Sequence, residues 1–273
     1  MTYHSPFSAF SSLALCLLAA LQLPAQAQTT GLETTTGQTV GVSLLSYKYE
    51  EPGLMNLKAT KLGLDYAATY VFSSQWPKTN QALFVRGEFQ YVNGKADYSS
   101  VSSGTKNDNE DWYYEVRGLL GRDYNMGSYV LAPYVGLGYR YLYHDLRGAT
   151  STGNVGYRRE NTLTTAVLGV THRTKLAQGA LLVSNVEYMR VLKGKQDSKL
   201  SDTSAALNDL SLDQNKGYGL RLSSMWHSNR WSYGPTLTYW NIKESEAGRS
   251  GNSNWVEPKN ETTEIGLKAA YHF

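Results

Sequence analysis

The chain has 273 residues, a formal net charge of +3 and a mean hydropathy of −0.42. So small and mixed a charge gives no footprint for nucleic acid, and the negative hydropathy excludes a bundle of apolar transmembrane helices. The one cysteine, Cys16, falls in an apparent leader, which leaves the remainder without a thiol for a disulfide, a thiolate metal site or a nucleophile.

Residues 1–27 read as a secretory signal peptide. An apolar run from Leu13 to Leu23 is followed by Ala25-Gln26-Ala27, a small-x-small cleavage site that would leave a domain over 28–273. The run is too short to span a bilayer, which takes about 20 residues. Leu15 stands before Cys16 where a lipoprotein signal needs a small residue. One departure is that no Lys or Arg precedes the run, only the amino terminus and His4.

Ten strands follow, predicted near 38–50, 55–72, 81–99, 109–123, 128–146, 157–173, 179–193, 215–227, 230–244 and 260–273. Short connections (73–80, 124–127, 174–178 and 227–229) alternate with longer ones (100–108, 147–156, 194–214 and 245–259), and only the brief 51–54 breaks the rule. Polar and apolar residues alternate along the strands. The second places Leu62, Leu64, Tyr66, Ala68, Tyr70 and Phe72 on one face, with Lys61, Gly63, Asp65 and Thr69 on the other. The third sets Leu83, Val85, Phe89 and Tyr91 against Arg86, Glu88 and Gln90. The fourth sets Trp112, Tyr114, Val116 and Leu120 against Glu115 and Arg117. The fifth sets Tyr129, Leu131, Val135, Leu137, Tyr139, Tyr141 and Tyr143 against Tyr134, Gly136, Gly138 and Arg140. Trp226 and Trp231 flank the tightest turn, Trp76 lies in another, and Trp112, Tyr141 and Tyr143 gather at the opposite end, as two interfacial belts require. A soluble sandwich or lipocalin-like barrel would instead bury these Tyr-rich stripes.

The final strand ends the chain on Ile265, Leu267, Ala269, Tyr271 and Phe273, alternating with Glu264, Gly266, Lys268 and His272. This terminal strand resembles the closing strand of bacterial outer-membrane β-barrels, whose terminal Phe belongs to the signal read by the assembly machinery. With the turn alternation and the leader, the region 38–273 resembles the small opacity-type and porin-like barrels of Gram-negative bacteria. The resemblance implies an all-β, ten-stranded antiparallel transmembrane β-barrel in the cell outer membrane, reached through a cleaved signal. It implies short periplasmic turns, long outer loops and both termini in the periplasm. It also implies that Tyr271 and Phe273 serve assembly, and that outer-membrane lipid, lipopolysaccharide, the barrel assembly machinery and periplasmic chaperones are partners. It names neither a surface ligand nor a cofactor.

Three constellations carry candidate chemistry. Alternation points Lys61, Asp65, Arg86, Glu88, Glu115, Arg117, Arg140, Glu187, Arg221, Glu264 and Lys268 into the barrel, six basic and five acidic groups. Such a set either pairs across a narrow lumen and fills it, or lines a selective conduit. At the outer rim His144-Asp145 lies near Asp108, Glu110 and Asp111. The surface proteases called omptins are also ten-stranded barrels with acidic and His residues at the rim, although their Asp-Asp and Asp-His pairs do not map onto this chain residue by residue. The loops at 194–214 and 245–259 are polar, and an exposed Trp255 is a candidate anchor for a surface ligand. His172, His227 and His272 fall toward the periplasmic end and form no recognisable metal or Ser-His pattern. The expectation is a barrel with a structural or surface-recognition role and a filled lumen. A narrow small-solute channel and an omptin-like rim hydrolase are the alternatives.

Overall fold

The computed structural model describes residues 31–72, 82–176 and 179–273. The leader, the turn at 73–80 with Trp76, and part of the turn at 174–178 lie outside the described residues. Ten long strands form an antiparallel sheet: β1 Gly37–Glu51, β2 Met55–Phe72, β3 Leu83–Ser100, β4 Gly104–Arg122, β5 Tyr129–Ala149, β6 Val155–Lys175, β7 Leu181–Ser198, β8 Gly217–Ser228, β9 Trp231–Ile242 and β10 Asn260–His272. Each pairs with its neighbour in sequence, and β1 pairs with β10 from Thr39↔His272 to Glu50↔Glu261, so the sheet closes on itself. Closure satisfies every strand edge, the condition for a sheet to stand in lipid.

The faces follow the alternation. Leu62 and Leu137 are 69% and 60% exposed on the outside, whereas Lys61 and Asp111 are buried within. The outward surface is therefore apolar, as lipid requires, while the interior combines buried charges with apolar clusters such as Phe84, Leu119, Leu163, Met189 and Trp240. Rings mark both ends of the apolar band. At one end Trp112 stacks on Tyr143 with centroids 5.3 Å apart, and Tyr114 stacks on Tyr141 at 5.5 Å. At the other, Trp226 stacks on Tyr233 and Trp231 meets Tyr271 edge-on. There the hairpin from Ser228 to Trp231 turns in two residues, with Asn229 taking φ +54° as a primed turn demands.

Several boundaries differ from expectation. The fourth strand begins at Gly104 and the seventh continues to Ser198, so ladders run beyond the apolar band. The connections expected at 100–108 and 147–156 shrink to 101–103 and 150–154. Outside lipid both faces of a strand are wet, so the alternation fades while backbone pairing persists. The loop after β7 is also ordered: a single 3₁₀ turn, Leu200–Asp202, is followed by a short strand, Leu210–Asp213, paired with the end of β7. Trp255 is a correction. It lies in a small hairpin, half-buried against the cluster of Leu200, Leu210 and Leu212, and donates its indole N–H to the carbonyl of Ser250 at 3.3 Å. Tucked into the loop's own small core, it is not the exposed anchor expected.

Candidate functional site: the lumen

All eleven charged residues predicted for the interior point inward, and each takes part in an ion pair. They form tiers. Nearest the loop end, Arg159 joins Glu51 and Glu257, at 2.6 Å each, and Tyr49 donates to Glu51. This clasp links the first outer connection to the last.

Below it, Lys61 Nζ lies 2.6 Å from Asp111 Oδ1 and 3.4 Å from the centroid of the Tyr47 ring. His144 Nε2 stands 3.8 Å from the second oxygen of Asp111 and 3.5 Å from the Tyr47 hydroxyl, with Tyr49 edge-on to its ring. Arg140 reaches Glu264 at 3.4 Å and lies over the rings of Tyr113 and Trp240. The Tyr113 hydroxyl donates to the same carboxylate at 2.6 Å. Rings and paired charges fill most of this half of the lumen, leaving a cavity of about 10 Å³ beside His144, Arg140 and Trp240.

The third tier is looser. Arg117 bonds Glu88 and Glu187 and approaches Glu115, which Arg221 holds at 3.0 Å. Arg86 lies 3.8 Å from Glu88, and Lys268 lies 2.9 Å from Asp65. These groups line a cavity of about 220 Å³. At the short-turn end Asp123, wholly buried, accepts from Arg173 and from both the backbone N–H and hydroxyl of Thr34. The stretch 31–36 thereby crosses the mouth from β1 to β4.

The proposed rim does not assemble. Asp111 and His144 meet, but inside the barrel, where both are buried. Asp145 points outward and pairs with Arg147 at 2.6 Å, while Asp108 and Glu110 are exposed. An inward phase at 111 and 144 follows directly from the alternation, which placed Glu115 and Arg140 inside and applies equally to these neighbours. His227 and His272 do meet, with rings 4.8 Å apart, and His272 also contacts Ser232 and Thr39. His172 points outward beside Tyr129, and no group of three or more metal-ligating side chains occurs among the described residues.

Outside the barrel, Arg158 grips Asp202 through two hydrogen bonds of 2.8 Å and holds its carboxyl below the usual carboxylate range. Sequence reading missed Glu51, Arg159, Glu257, Asp123 and Arg173. The first three lie where alternation fades, and the other two at a strand end whose pairing only the barrel reveals.

A closed sheet with an apolar exterior, aromatic belts and a charged interior defines a transmembrane β-barrel of the outer-membrane type. The family model described as outer membrane protein beta-barrel domain matches residues 13–208, and the chain belongs to that family. Among solved structures it is similar to the outer membrane protease OmpT from Escherichia coli, with 11% identity, 89% of this chain and 100% of that chain covered, and a TM-score of 0.54. It also matches the translocator domain of the autotransporter NalP from Neisseria meningitidis, with 12% identity, 98% and 97% covered, and a TM-score of 0.42. An outer membrane channel from Pseudomonas putida F1 matches with 10% identity, 92% and 100% covered, and a TM-score of 0.37. At these identities the likeness is one of fold. No curated protein matches the chain in sequence.

Proposed function

We propose that this outer-membrane barrel is exported through a cleaved signal in a Gram-negative bacterium and serves a structural or surface-recognition role, with its lumen closed by the cross-lumen charge network. The observation that carries the reading is the Lys61–Asp111 pair, wholly buried between Tyr47 and Tyr113. A conduit would keep a hydrated path past its charges, and the burial of Lys61 and Asp111, with only about 10 Å³ of space beside the adjoining His144, supports closure between the larger cavity and the outer loops. The cavity favours a second reading, a narrow small-solute channel in which it forms the periplasmic vestibule. A rim hydrolase gains nothing from Asp111 and His144, which lie inside. Single-channel recording in planar bilayers separates the readings. A closed lumen gives no steady conductance, and stable ohmic openings at low voltage overturn the proposal.

A further inference from the structure

The ladder between β6 and β7 carries a bulge. Thr164 pairs with Lys193 and Thr165 with Val191, so Leu192 is an extra residue. Bulges re-aim side chains, and here Leu192 and Lys193 both face outward, Leu192 at 53% exposure. Arg190 also faces outward, directly across from Ala166 on β6 and Tyr218 on β8. Lys216, two residues before Tyr218, is exposed diagonally beside it.

These three cations have no ion-pair partner among the described residues, and no acid stands opposite Arg190 or Lys193. Of the outward acids, Asp197 pairs with Lys195 at 3.4 Å and Glu160 meets the Tyr141 hydroxyl, while exposed Asp213 stands across from Lys195, one rung farther toward the loop than Lys193. The opposite side of the barrel differs. There Lys58 stands across from Asp97, and Lys95 across from Glu110. Arg190 and Lys193 instead face neutral residues, Ala166, Tyr218 and Thr164, which leaves their charges open to an external anion.

Its depth indicates which anion. Tyr188 stacks on Tyr218, which meets Tyr239, each pair 6.2 Å apart. Tyrosine rings settle at headgroup level. Below them Leu168, Val186, Leu220 and Leu222 are exposed to acyl chains. Cations, rings and apolar wall are continuous, in the order in which a lipid presents phosphate, backbone and chain.

We propose that the bulge in β7 builds a binding site for the phosphate of an outer-leaflet lipid. Arg190 engages two phosphate oxygens through its planar fork, Lys193 adds a point charge, and the acyl chains lie along Leu168 and Leu220. The site rests on the outer-membrane reading but is independent of whether the lumen conducts.

The test compares the wild type with R190Q/K193Q and K58Q/K95Q, refolded in phosphatidylcholine vesicles with or without phosphatidylglycerol at constant ionic strength. Urea unfolding is the readout. Phosphatidylglycerol is expected to raise the folded-to-unfolded ratio of the wild type by about fivefold per basic group at the surface. R190Q/K193Q loses most of that gain, and K58Q/K95Q keeps it. An equal gain in wild type and R190Q/K193Q would mean general attraction to an anionic surface and overturns the site. Inorganic phosphate reproducing the gain in pure phosphatidylcholine overturns the lipid as its occupant. Native mass spectrometry of protein extracted from the mixed vesicles gives a readout independent of folding yield. Retained phosphatidylglycerol on the wild type and not on R190Q/K193Q is expected, and equal retention on both overturns the proposal.

Discussion

Replacing Asp111 by Asn removes one charge from the buried tier around Lys61 with almost no change of shape. Lys61 then stays buried, without the carboxylate that stands 2.6 Å from its ammonium. At an effective dielectric of about 20 the direct attraction at that distance is about 6 kcal/mol. Desolvating two ions costs several kcal/mol each, so the intact pair is close to break-even, and the cost falls on the cation left behind, typically about 3–5 kcal/mol. The Tyr47 ring, 3.4 Å from Nζ, offsets part of that by a cation–π contact of up to about 2 kcal/mol. A net loss of about 3 kcal/mol is therefore expected for Asp111→Asn. Urea unfolding of protein folded in vesicles measures it, using tryptophan fluorescence and the gel mobility shift on heating. Removing both charges, as Lys61→Met with Asp111→Leu, should recover most of the stability, because a packed apolar pair meets no such penalty. Exposed Lys48–Glu50 provides the scale for a screened pair, at about 0–1 kcal/mol. Should Asp111→Asn cost no more than Glu50→Gln, the tier is hydrated and the reasoning for a closed lumen fails.

Leu137→Arg places a charge on the lipid face and should cost about 2–4 kcal/mol, whereas Thr69→Lys points inward and is tolerated; equal folding of the two in vesicles would mean a register error of one residue. Phe273→Ala should lower outer-membrane yield and leave unfolded protein in the periplasm, read by fractionation, and an unchanged yield with normal heat-modifiable mobility sinks the assembly role. Asp202→Asn should loosen the loop over residues 199–216 at neutral pH and speed trypsin cleavage at Lys199. Because Arg158 depresses the Asp202 carboxyl, its contribution is present above the ordinary carboxylate range and is lost as pH falls through the lowered value. Wild type in acid should therefore exchange its loop amides as fast as Asp202→Asn does, and a pH-independent exchange difference between the two contradicts that.

Strand number and facing were legible because lipid imposes a strict period of two: Leu62 and Lys61 differ by one residue and by the whole range of exposure. The inward set could be read for the same reason, since a charge such as Glu115 or Arg140 has only one tolerable side. Beyond the apolar band that constraint lapses. Trp255 gave no sign that Leu200, Leu210 and Leu212, between 43 and 55 residues earlier, would cover it. Asp111 and His144 lie in sequence beside the outer loops, which suggests rim chemistry, but their phase on the strand carries them inside. The pairings themselves, such as Arg159 with Glu51 and Glu257, join residues from opposite ends of the chain, and no local pattern encodes them.

The seam between β1 and β10 has a kinetic consequence. It joins Thr39 to His272, 233 positions apart, so its contacts can form only after all the intervening chain is in place. Mean contact separation governs folding speed, and loop-closure entropy must be met before such pairings stabilise anything. A partly formed sheet has two open edges, and in hydrocarbon each unpaired amide or carbonyl on them costs several kcal/mol. Insertion strand by strand into bare lipid is thus uphill until the last step. The two edges must either be shielded by another protein or meet before they enter the bilayer, and an error confined to the final strand stalls the whole barrel at its least stable point.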